Sequence, residues 1–153
     1  MGLRTLSQLK NTNRTFDNIL DSMQLNLIEN ETIAAAKTLT NEDSGKTFFV
    51  EQASAYEITL PLMSAIEAGW NVTFVLSSVD TNKVTIANNT AEDTIVGGVA
   101  GADGGAATHA ETAVDEVVFI SGAVLGDRCT IVSNGTNYFV SGFANDAAHI
   151  TVS

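Results

Sequence analysis

From about residue 38 to the C-terminus the sequence alternates with a period of two, and that period constrains the fold more than any other feature. KTFFVE, YEITL, NVTFVLS, KVTIA, DTIVG, EVVFIS, RCTIVS, TNYFVS and HITVS are short runs rich in Val, Ile, Thr, Phe and Tyr. These residue types suit a pleated, half-buried surface. In NVTFVLS, Val72, Phe74 and Leu76 point one way and Asn71, Thr73 and Ser77 the other, because successive side chains of a strand leave opposite faces. Gly, Asn, Asp and Ser separate the runs, and no strand–helix–strand alternation is visible. That disfavours a parallel α/β enzyme fold. The expectation is an all-β, antiparallel β-sandwich of jelly-roll or Greek-key type over residues 37–153. Pro61 suits the end of a strand, where no ladder donor is needed, and LMSAIEAG after it has room for one or two helical turns. The longest irregular stretch, GGVAGADGGAATHAE at residues 97–111, is almost all Gly, Ala and Thr. It reads either as a surface loop or as a crossing so close that only small residues fit. No repeat of 20–50 residues is present, which argues against a repeat solenoid.

Residues 1–36 read differently, as an extended N-terminal arm. In TFDNILDSMQL, Phe16, Ile19, Leu20 and Met23 fall at i, i+3, i+4 and i+7, the stripe of a short helix. The segment LNLIENETIAAAKTL that follows has no settled period. Such a chain has too little apolar surface to fold alone and orders by lying on something else. The stripe suits packing on the chain's own body or docking on another subunit. Charge favours docking. Residues 1–37 hold four basic and four acidic side chains, whereas the remainder holds three basic against fourteen acidic, so the whole net charge of −11 sits on the body.

That acidity makes nucleic acid a poor partner, since phosphate binding needs clustered Lys and Arg. No run approaches the ~18 apolar residues of a membrane span, and MGLRTLSQLK has neither the continuous apolar stretch of a secretory signal nor the Ser or Thr that myristoylation needs at position 6. A single Cys rules out an internal disulfide.

Each motif that hints at chemistry has a plainer explanation. LGDRCTIVSNGTNYFVSG, residues 125–142, sets Asp127, Arg128 and Cys129 side by side. Asn134-Gly135 is nonetheless a strong hairpin signal, favouring a two-residue type I′ turn, and alternation makes Cys129 an inward-facing small hydrophobe. A nucleophilic Cys wants a His beside it, and His109 and His149 lie in a small-residue loop and at the final strand. SGKT at residues 44–47 imitates the end of a phosphate-binding loop, but the Gly required at position 40 is Thr40 and FFVE after it is a strand. The Gly-rich stretch lacks dinucleotide-loop spacing. His109, Glu111, Asp115 and Glu116 lack the spacing of known metal motifs and read as solvated acids. Sequons at Asn13, Asn30, Asn71, Asn88 and Asn134 are expected by chance in so Asn- and Thr-rich a chain. The residues therefore point to no enzyme, no cofactor and no metal.

The order GKTFFVEQASAYEITLP, GWNVTFVL, NKVTIAN, DTIVGG, EVVFISGAVLGDRCTIVSNGTNYFVSG, HITVS resembles a small β-domain of tailed-bacteriophage structural proteins. Head decoration (cement) proteins carry it, as do tail-fibre appendages. The resemblance spans roughly residues 44–153 and rests on strands and turns. It implies a virion component, assembled in the host bacterial cytoplasm and bound to the outer capsid surface, that forms a homotrimer on the major capsid protein. It carries over no catalytic residue. In that setting Arg4, Lys10 and Arg14 of the arm are candidates to pair with shell carboxylates, and Phe16, Ile19, Leu20 and Met23 to supply apolar contact. The alternative is a tail-fibre or baseplate domain binding a host surface, for which Trp70, Tyr56 and Tyr138 are the candidate aromatics.

Overall fold

A computed structural model describes residues 29–89, 95–104 and 108–153, with residues 108–113 in backbone only. Among the described residues twelve strands form two sheets. The larger runs β1(Asn30–Ile33), β3(Thr47–Glu51), β5(Asn71–Ser78), β10(Arg128–Ser133), β11(Tyr138–Ala144), β7(Ile95–Gly101), β8(Thr108–Val114) across its width. The smaller runs β12(Ile150–Val152), β9(Glu116–Phe119), β6(Val84–Ala87), β4(Tyr56–Thr59), β2(Lys37–Thr38). The fold is mostly β, as the period of two requires. Among the described residues the helical elements are 3₁₀ turns at Asn41–Asp43, Met63–Ala65 and Ala147–His149.

The sheets are mixed, whereas the sequence suggests purely antiparallel ones. From β1 to β6 the chain alternates between sheets, so each strand's neighbour in its own sheet is reached through a strand of the other. Neighbours reached that way run parallel: β1 with β3, β3 with β5, β2 with β4, and β4 with β6. The antiparallel pairs come later, in β5–β10, β10–β11, β7–β8, β6–β9 and β9–β12. Alternation of side chains is identical in both kinds of pair, so the runs reveal strands without revealing direction.

The inner faces of both sheets close on one hydrophobic core. Phe48, Val50, Val72, Phe74, Leu76, Cys129 and Ile131 come from the larger sheet, and Ile58, Val84, Ile86, Val117, Phe119 and Ile150 from the smaller. Phe48 and Phe74 are register partners and stack with centroids 5.6 Å apart. Trp70 and Tyr138 meet edge to face at 5.9 Å. Their polar ends are satisfied: Trp70 Nε1 donates to the Thr40 carbonyl at 3.1 Å and Tyr138 Oη to that of Pro61 at 2.6 Å, as burial of either group requires.

The Gly-rich stretch is a close crossing of strands. β7 pairs in parallel with β11, and a Cβ on Gly97 (φ +119°) would sit 2.1 Å from the Val140 carbonyl oxygen. Residues 97–111, irregular by composition, hold the later part of β7, where contact is made by backbone, and the first part of β8. Asn30–Ile33, within the stretch assigned to the arm, pairs along β3 with Ile33 buried. The short helix expected around Phe16 lies outside the described residues.

Candidate functional site

The segment from Leu125 to Gly142 is a hairpin, β10 and β11, at the centre of the larger sheet. Its turn differs from the type I′ expectation. Only Gly135 (φ +88°) takes a positive φ there, and the Asn134 side-chain oxygen accepts from the amides of Thr136 and Asn137 at 2.9 and 2.8 Å. That Asx-type bonding holds a four-residue loop in place of a two-residue one. Cys129 is fully buried, and burial pushes its thiol up to about 12. A nucleophile needs the thiolate, so this side chain acts as packing.

Asp127, beside it, has a role that sequence reasoning missed. It is 2% exposed, and its carboxylate ties three segments together. Oδ1 accepts from the Asn145 amide at 2.7 Å, Oδ2 accepts from the Val124 amide at 2.8 Å, and His149 Nδ1 lies 2.8 Å from Oδ2. Asp and His at catalytic distance resemble two members of a hydrolase triad. Both oxygens of Asp127 are nevertheless spent on holding the 121–127 loop, the end of β11 and the last 3₁₀ turn. The signal was available only as Gly-Asp after a hydrophobic run, which reads as a turn.

Lys46 of SGKT is likewise structural. Its Nζ lies 2.8 Å from Asp43 Oδ1. Burial raises the Asp43 carboxyl, but hydrogen bonds from Lys46 and the Thr40 amide, with the charges of Lys46 and Lys37, outweigh it and hold it below the ordinary 3.8. The hydrogen bond to Asp43 in turn raises Lys46. β3 follows at once, as the strand reading of FFVE requires. The Asn88 sequon is closed, because Asn88 is buried and its Nδ2 is inaccessible.

The aromatics that would serve a host-binding cleft are buried or half-buried. Trp70 and Tyr138 are buried, and Tyr56 Oη donates to the carbonyls of Ile33 and Glu51 at 2.7 and 3.0 Å. Exposed aromatics occur elsewhere, on the outward face of the larger sheet. Phe49, Phe139 and Phe143 are 36%, 45% and 44% exposed, with Val132 at 39%. Pairing registers arrange this face in rows. One row is Phe49, Val75, Arg128, Phe143, Ala100; the next is Thr47, Thr73, Thr130, Ser141, Gly98; a third is Asn71, Val132, Phe139, Val96. Thr73 and Thr130 bond hydroxyl to hydroxyl at 2.9 Å. The Arg128 guanidinium lies over the Phe143 ring at 5.5 Å, beside a shallow depression of about 300 Å³ that Thr130 and Ser141 also line. On β3, β5, β7, β10 and β11 the outward side chains include two charges, Arg128 and Glu51. The face was legible only in part: alternation assigns the outward positions, but strand order decides which of them meet.

The arm residues proposed to dock, Arg4, Lys10, Arg14, Phe16, Ile19, Leu20 and Met23, lie outside the described residues. Among the described residues no group of three or more His, Cys, Asp or Glu could hold a metal ion, and no helix is long and apolar enough to cross a membrane. No protein-family model matches the chain, and no curated protein matches it as a relative.

Proposed function

We propose that this protein is a structural component of a bacteriophage virion, a decoration or cement protein that binds the major capsid protein on the outside of the shell as a homotrimer. The observation that carries the reading is the outward face of the larger sheet. Across β3, β5, β10, β11 and β7 it is a broad, nearly uncharged surface with three exposed phenylalanines, on a body whose net charge is −11. Such a surface suits association better than catalysis, which needs convergent polar groups in a cleft. Cys129, Asp127 and Lys46, the side chains that most resembled reactive groups, are each engaged in packing or bonding. The strand-and-turn resemblance to phage decoration domains points the same way, and the burial of Trp70 and Tyr138 weighs against the tail-fibre alternative.

A cement protein works by binding assembled shell and not free subunits, so its binding energy adds to the assembled state. In this reading the arm makes the shell contact, Phe16, Ile19, Leu20 and Met23 by apolar burial and Arg4, Lys10 and Arg14 by pairing with carboxylates. Removing residues 1–28 leaves all twelve of the described strands in the chain. The truncated chain is expected to stay folded and to lose binding to capsids that the full chain saturates. Retained binding refutes the role of the arm.

A further inference from the structure

We infer that the outward face of the larger sheet is the contact between copies of this chain, with Phe139 and Phe143 of β11 as its main apolar contacts. The inference rests on the homotrimer proposed above and says which surface forms it.

The body carries fourteen acids against three bases beyond residue 37, so two copies repel over most of their surfaces. Across β3, β5, β10, β11 and β7 the outward rows hold one carboxylate, Glu51 at a strand end, and one cation, Arg128. Arg128 is folded over the Phe143 ring, where the aromatic face offsets part of its charge. A face built for a basic partner would present carboxylates, and one built for an acidic partner several Lys or Arg. This face presents neither. The surface that matches it in chemistry is a second copy of itself: rings and valines against rings and valines, and hydroxyls of Thr47, Thr73, Thr130 and Ser141 against their like. Five strands at ~4.8 Å spacing give a face roughly 19 Å wide, broad enough to turn towards a threefold axis with the same residues from each copy meeting there. The hydroxyl row of Thr47, Thr73, Thr130 and Ser141 runs between the row of Phe49 and Phe143 and the row of Val132 and Phe139, and exposed aromatics of this kind are what interfaces bury.

The test uses the full chain and reads mass in solution by light scattering. The wild type is expected to be an oligomer at micromolar concentration. Phe139→Glu and Phe143→Glu, at half-exposed sites that a folded monomer tolerates, are each expected to raise its dissociation constant at least ~30-fold, and together to leave a monomer with an unchanged circular-dichroism spectrum. Leu125→Glu, 63% exposed and off the strands of this face, is expected to leave the oligomer intact. A monomeric wild type, an oligomer that survives both Phe substitutions, or dissociation by Leu125→Glu alone overturns the inference. Capsid binding is measured separately. A wild-type monomer that still saturates capsids sinks this interface and spares the decoration reading, whereas an oligomer broken by the Phe substitutions that ignores capsids does the reverse.

Discussion

Replacing Asp127 by Ala is expected to be among the most costly single changes in the body. The carboxylate is 2% exposed and is met by the amides of Val124 and Asn145 and by His149 Nδ1, all within 2.7–2.8 Å. Truncation leaves two backbone N–H groups without their acceptor, each at a cost of ~1–3 kcal/mol. The three segments they held also lose their common anchor. The sum is about 3–5 kcal/mol, a large share of the 5–15 kcal/mol typical of a domain. With a urea slope of ~1–3 kcal/mol/M, the midpoint falls by roughly 2 M, read by fluorescence of the buried Trp70. Asp127→Asn is also costly, because its amide nitrogen offers a donor where an acceptor is needed. His149→Ala removes one bond and leaves the carboxylate its two amides, so it costs only about 1 kcal/mol. If Asp127→Ala costs less than ~1 kcal/mol, or His149→Ala costs as much as Asp127→Ala, the clamp reasoning fails.

Other substitutions probe the same physics elsewhere. Gly97→Ala places a Cβ 2.1 Å from the Val140 oxygen at a φ of +119°; the β7–β11 pairing must break, and thermal melting should show either no folded protein or a midpoint many degrees lower. Burial lifts Cys129 from 9.0 to about 12 and Tyr56 from 10.0 to about 12. Folded values above unfolded ones mean that this stability is complete below pH 9 and is lost above it, by up to ~1.4 kcal/mol per pH unit for each group. Cys129→Ala should flatten the early part of that alkaline loss, and the native thiol should resist a disulfide reagent at pH 8. The depressed Asp43 carboxyl contributes stability above the ordinary 3.8 that is lost as pH falls through its lower folded value; Asp43→Asn should remove that part of the acid transition, measured by urea midpoints between pH 2 and 6.

The period of two made most of the strands legible, since KTFFVE, YEITL, NVTFVLS and RCTIVS are strands with the inward positions their alternation assigns. Topology was hidden, because parallel and antiparallel neighbours share that alternation and pairing is decided by which sheet each crossover enters. β7 was legible at its start, in DTIVG, and lost its rhythm from Gly97 onward for a different reason. Gly97 and Gly101 are small because backbone and side-chain atoms lie within 2.4 Å of where their Cβ atoms would be, so packing removed the apolar rhythm that marks a strand. Asp127 and the outward phenylalanines were legible as residues and not as sites. Asp127 gains its role from Asn145 and His149, which meet it only in the fold, and Phe49 joins Phe143 only through the order of β3, β5, β10 and β11.

The most direct test of the decoration reading is co-sedimentation of the purified chain with capsids stripped of it, with the mass in solution measured alongside. Saturable binding by a trimer at a fixed ratio to the shell subunit is the expected result. A protein that leaves capsids untouched and adheres to host cells contradicts it.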